Sequence, residues 1–451
     1  MAKAPPSAAE THQIVREVVL TMKTKMDSLP PVSTECCIYR VPEKLRRANA
    51  EAYTPQVISI GPFHCGKKEL ESTEEIKLRY SMAFLSRISS RADLPACARI
   101  ISESEDRIRQ CYQEKLTQSS SELAEIILLD AIFVVELFIS NHNWNHDPEH
   151  RDQNDEILSK QWMSNAVFHD LLLLENQVPF FVLEKLYRID PLSTTVTFFK
   201  LIYEYFKDVL HGHELASTIV QVKHLVDYVR ALQLPAFPRR VPAKQGKKFQ
   251  LTRSAKELQE AGVTFRLSEG TSTLLDVDFK DGILVMRRVV VHEWTEPYIR
   301  NMIAYEQCHH DEKYISSYAI LMDSLIDTSE DIDILTSCGI LENQLGSTDD
   351  VAHLFNTMYK ETMRDSSEFV YSSQCQSLNA YSRNRWHQWK AAWYRSRVIL
   401  QRDYFSNPWS GISVVAAIIL LVLTFFQSTC AFLDVYAGDA RKLFQKYKRH
   451  Y

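Results

Sequence analysis

Between Asp403 and Asp434 the chain carries no charged side chain, and Val414 to Phe426 reads VVAAIILLVLTFF. A bilayer-spanning helix needs roughly 20 apolar residues, so this run is long enough to cross a membrane. Trp409 at its entrance and Tyr436 just past Leu433 lie where aromatic rings favour the headgroup region. Leu420 sits at its centre. The expectation is therefore one C-terminal transmembrane helix, over 405–434, carrying Trp409, Val414, Leu420, Phe426 and Leu433 and followed by a short basic tail, 435–451.

A second apolar run, Leu123 to Ile139, contains Glu125, Asp130 and Glu136. Each carboxylate in hydrocarbon would cost about 2.5–3.5 kcal/mol, so this run reads as a helix in a protein core. The first 34 residues hold Pro5, Pro6 and an amphipathic stretch around Ile14, Val18 and Met22, without the uninterrupted apolar core of a secretory signal. With no such signal, the expectation is a body in the cytosol held at the plasma membrane by a single pass. Basic residues flank the span on both sides, so the charge rule also admits the opposite orientation.

Of the 451 residues, 45% are hydrophobic and 24% charged, which fits a chain that packs a core. Its net charge of −5 offers no basic field for nucleic acid. The nine cysteines follow no repeating spacing, and Cys36 and Cys37 are adjacent, which suits neither a mutual disulfide nor a zinc clasp. That, with no Asn-x-Ser/Thr site, leans toward a reducing compartment.

Periodicity predicts helices over 74–89, 104–116, 121–140, 155–174, 195–209, 215–232, 297–307, 314–326 and 349–360, and one long helix over 378–404. The last carries Trp386, Trp389 and Trp393 among basic residues, a pattern that fits a headgroup surface and a helix packed on its own domain equally. The stretch 235–248, PAFPRRVPAKQGKK, reads as a hinge. LLDVDFKDGILVMRRVVV from Leu274 to Val291 reads as a β-hairpin turning at Asp281-Gly282. The fold class is mainly α with a small β-hairpin element: a helical body over 35–404 plus the C-terminal transmembrane helix.

The usual phosphate-loop, dinucleotide, nucleophile-elbow and zinc-protease motifs do not occur, and 11 Gly leave little material for a phosphate-cradling loop. No nucleotide, cofactor or catalytic residue is expected. His142, His146 and His150 are spaced by four, but Pro148 and three neighbouring Asn residues favour a polar loop, so no metal site is expected there. His309 and His310 read as residues of a helix end.

Several strings resemble those of the plant domain of unknown function 247 family. Asp170 to Tyr187, DLLLLENQVPFFVLEKLY, is similar to the family's signature segment. YTPQVISIGPFH from Tyr53, HLVD from His224, RSAKELQEAGV from Arg253, RNMIAYEQC from Arg300, YAILMDSLI from Tyr318 and the C-terminal YFSNPWSGISVVAAIILLV follow in family order. Asn343 to Gly346 departs from the pattern while keeping its turn-like character, and the histidine stretch matches no motif. The resemblance implies a final membrane span and no agreed catalytic residues; some grass relatives are linked to self-incompatibility. Glu175, Asn176, Gln177 and Pro179 interrupt apolar surroundings and are expected to tie helices together, since an unpaired buried polar group costs about 1–3 kcal/mol. The reading that follows is a non-enzymatic recognition or signalling module, in self-recognition or development, with the lipid bilayer and a protein as partners. The alternative is a membrane-tethered hydrolase or transferase whose site is assembled from distant residues.

Overall fold

The computed structural model describes residues 8–27, 34–210, 221–234, 251–268, 273–310, 312–359, 369–383, 412–413 and 416–431. The expected hinge at 235–248 and the tryptophans of the 378–404 stretch lie outside them.

The helix Ser120–His146 is the axis of the fold. A capping box starts it, Ser119 accepting from the Glu122 N–H while Glu122 reaches back to the Ser119 N–H. From Asp130 to Ile139 every residue is buried, as a helix apolar on all sides requires. Helices Glu74–Ile88, Leu94–Ser102, Phe180–Tyr187 and Phe198–Leu210 pack around it. Its two buried carboxylates are both answered. Lys77 Nζ lies 2.6 Å from Asp130 Oδ1, and Arg87 bridges Glu136 to Asp190. Glu125 stays at the surface.

A second group of helices, Thr295–His309, Tyr314–Leu325, Ser329–Ser337 and Thr348–Met358, follows four short strands, and a fifth strand enters before the last of them; the five make two small sheets. In the first, β1 (Thr264–Leu267), β2 (Asp278–Lys280) and β3 (Ile283–Met286) take the order β1-β3-β2. β2 and β3 form the expected hairpin, with Asp281 and Gly282 both at positive φ, 52° and 81°. The second sheet pairs β4 (Val289–Val291) parallel to β5 (Leu341–Asn343). After β5 the Asn343 carboxamide accepts the N–H groups of Leu345 and Gly346, closing a turn. One apolar cluster runs from Cys37 to Leu378 and joins both groups of helices.

The expected transmembrane helix is corrected by the structure. Among the described residues no helix is long and apolar enough to cross a membrane. Residues 416–431 are helical; at about 1.5 Å per residue they reach about 24 Å, against about 30 Å of hydrocarbon. Leu420 and Phe426 lie exposed on this stretch, and Thr424 donates to the Leu420 carbonyl. Trp409, Val414 and Leu433 lie outside the described residues. The charge-free run is longer than the regular helix described within it.

Candidate functional site

The signature segment is a turn followed by a helix rather than one continuous helix. The helix Gln161–Asp170 ends where the segment begins, the chain turns through Leu171 to Val178, and Pro179 stands at the N-cap of Phe180–Tyr187. Side chains that hydrogen-bond nearby backbone compete with the helix ladder, and a proline disfavours helical geometry in the residue before it.

The turn faces the loop from Gln56 to Gly61 and supplies its backbone partners. The Asp170 carboxylate accepts the N–H groups of Gln56, Val57 and Ile58 at 2.8–3.0 Å. Asn176 accepts the Ile60 N–H at 2.7 Å and donates to the carbonyls of Ile58 and Asp170. The Gly61 N–H goes to Asp130 Oδ2 at 2.7 Å, which links the loop to the central helix and to Lys77. Gln177 donates to the carbonyls of Leu171 and Leu173 and accepts from the Leu225 N–H. Asp170, Glu175, Asn176 and Gln177 are all buried.

The same knot reaches the second group of helices. Asn301 accepts the Leu174 N–H at 2.9 Å and donates to the Ala52 carbonyl at 2.7 Å. The Glu306 carboxylate accepts from Arg230 and from the N–H groups of Ile315 and Ser316. His224 caps the helix Leu225–Gln233 by accepting the Asp227 N–H, and its other nitrogen lies 3.0 Å from the Cys37 carbonyl. That geometry places the proton on Nε2, and burial holds the ring down to about 4. His309 ends its helix with Nδ1 at 2.7 Å from the Tyr39 hydroxyl. The strings from Tyr53, Asp170, His224 and Arg300, distant in sequence, thus meet in one polar network.

Glu175 stands at the edge of that network, under the rim of an open cavity of about 310 Å³ lined by Arg40, Val41, Glu43, Arg46, Phe63, His64 and Lys67. Its carboxylate accepts the Val41 N–H at 2.7 Å, Arg46 at 2.6 Å and Arg40 at 3.2 Å. Burial works to raise its pKa, but His64, the Val41 N–H and Arg46 together hold it down to about 2. The guanidinium carbon of Arg40 lies over the Phe63 ring, 4.0 Å from its centroid. His64 is 3% exposed, and neither ring nitrogen has a hydrogen-bond partner, although Nε2 lies 3.4 Å from Glu175. Burial depresses its pKa against the pull of Glu175. Sequence reasoning singled out Glu175, Asn176 and Gln177 but not Asp170, Asp130, Arg40, Arg46 or His64. Asp170 and His64 did stand at the ends of quoted strings; the arginines carried no signal.

A mainly helical chain whose loops are fastened by one buried polar turn defines the class of protein seen here. The chain belongs to the domain of unknown function 247 family, described as plant protein of unknown function, whose model matches residues 38–423. It is similar to the UPF0481 protein At3g47200 of Arabidopsis thaliana, 28% identical over 435 residues that span 90% of this chain and 88% of that protein. It is also similar to the putative UPF0481 protein At3g02645 of the same plant, 22% identical over 86% of this chain and 89% of that protein. No solved structure matches the chain.

Proposed function

We propose that this plant protein is a non-enzymatic recognition module, and that the cavity above Glu175 receives a carboxylate or phosphate group presented by a protein partner. The observation that carries the reading is the division of labour around Glu175. The polar groups of the turn are bonded to backbone below it, while Arg40, Arg46 and Lys67 stand around the opening above. Guanidinium groups suit planar anions, and a rim held by a buried carboxylate is preorganised. The Lys67 side chain is partly exposed and bonds to none of the turn. Charge reversal there, Lys67→Glu, keeps the fold and removes the partner recovered when the tagged full chain is purified from cross-linked plant tissue. Recovery of the same partner by both forms contradicts the reading.

A hydrolase or transferase is the second reading, favoured by the unpartnered His64 ring nitrogens beside a carboxylate. Turnover of an ester, phosphoester or glycoside that is lost in His64→Gln, with the fold intact, selects it over the first.

A further inference from the structure

The central helix runs past Ser140 to His146, and this extension changes the meaning of the histidine spacing. On a helix, residues four apart share a face, so the His142 and His146 rings lie side by side with centroids 4.2 Å apart and planes tilted by 33°. Facing them is Glu204, from the helix Phe198–Leu210. His142 Nδ1 lies 2.6 Å from Glu204 Oε2, and His146 Nε2 lies 3.8 Å from Glu204 Oε1. One potential ligand atom from each of the three residues falls within 4.8 Å of the others.

The second nitrogen of His146 makes the arrangement directional. His146 Nδ1 lies 2.9 Å from the His142 carbonyl, a bond only an N–H can make, so Nε2 is the bare nitrogen facing the carboxylate. Metal-binding imidazoles are oriented in this way by a carbonyl on the opposite nitrogen. The His142 and Glu204 side chains are mostly covered, 12% and 18% exposed, while His146 at 54% leaves a way in.

We propose that His142, His146 and Glu204 bind one divalent transition-metal ion of the zinc class, pinning the end of the central helix to Phe198–Leu210. Two imidazole nitrogens with one carboxylate oxygen favour such ions over calcium or magnesium, which take oxygen ligands. Ligand distances of about 2.0–2.2 Å set the ligand atoms about 3.3 Å apart in a tetrahedron, leaving the fourth corner to water. His142 and Glu204 therefore part by less than an ångström, and His146, within 4.8 Å of the other two ligand atoms, closes by up to about 1.5 Å. For the ion to enter, the proton on His142 Nδ1 moves by way of water to Nε2, so that the ring ligates as a neutral imidazole. Lys200 Nζ, 4.0 Å from Glu204 Oε1, competes for the carboxylate; being half exposed on a flexible stem, it can turn into water. The site is separate from the cavity above Glu175, and neither proposal rests on the other.

The test is a cobalt(II) titration of the chelator-stripped full chain, followed by visible absorption. One equivalent binds, giving ligand-field bands that zinc abolishes. His146→Ala, a mostly exposed change, leaves the metal-free thermal melt unaltered and abolishes the bands. Glu204→Gln, which removes a charged ligand, weakens binding by at least the roughly 10–100-fold that loss of a mere outer partner of a ligand costs. Three results overturn the proposal: no bands at millimolar cobalt, the same titration in wild type and His146→Ala, or near-ultraviolet bands from thiolate-to-metal charge transfer, which would place the ion on cysteines.

Discussion

The α-carbon of Gly61 faces the carbonyl oxygen of Gln177 so closely that a Cβ at that position would lie 2.4 Å from it. Gly61 also sits at φ +78°, a conformation that side chains other than glycine's disfavour. Contact between the loop and the signature turn is thus backbone to backbone, and it admits no side chain. Gly61→Ala is predicted to destabilise the fold by about 2–4 kcal/mol, the sum of overpacking and left-handed strain. Urea denaturation measures it.

Lys77 and Asp130 make a second prediction, since a buried charge left without its partner costs more than the pair contributes. Lys77→Met should destabilise by about 3–5 kcal/mol. Asp130→Asn added to Lys77→Met should recover part of that loss, because the amide still accepts the Gly61 N–H without a stranded charge. A double-mutant cycle of denaturation midpoints gives the coupling.

Stability should fall in two steps on acidification. His224 and His309 are held down to about 4 by burial, whereas unfolded histidine titrates near about 6.5. Between these values the unfolded chain binds the extra protons, so stability is lost as pH falls from about 6.5 to about 4. Glu175 and Asp227, both held near about 2, contribute stability that is present above about 4.3 and lost as pH falls toward 2. His224→Gln should shrink the upper step, with His309 supplying what remains, and leave the Glu175 part of the lower one. Denaturation curves at half-unit pH intervals resolve the two.

Glu175→Gln is predicted to cost about 1–3 kcal/mol, because the amide keeps an acceptor for the Val41 N–H but puts donors against Arg40 and Arg46. It should also abolish the lower-pH contribution of that residue. Thermal melts at pH 7 and pH 3 check both parts.

Much of this was written in local sequence. Asp281-Gly282 between apolar runs gave the hairpin because only a few residue types reach positive φ at two consecutive positions. Carboxylates inside the Leu123–Ile139 run gave a core helix, and their partners Lys77 and Arg87 come from the helix Glu74–Ile88. The signature turn was read as polar residues interrupting a helix, since apolar periodicity on both sides hides a turn satisfied by a loop more than a hundred residues away. Parallel pairing of β4 with β5 depends on segments some fifty residues apart and left no local trace. Pro148 suggested a loop through His142 and His146, but a proline disfavours helical geometry in the residue just before it, here Asp147, so the helix runs on to His146 and Pro148 opens the next turn.

Hydrogen exchange at the amides of Ile58, Ile60 and Gly61 tests the fastening of this loop most directly. If side chains of the turn and of Asp130 hold those N–H groups, they exchange as slowly as the amides of Phe133 to Phe138 in the central helix. Exchange at the rate of surface loops, in the intact chain at neutral pH, would contradict it.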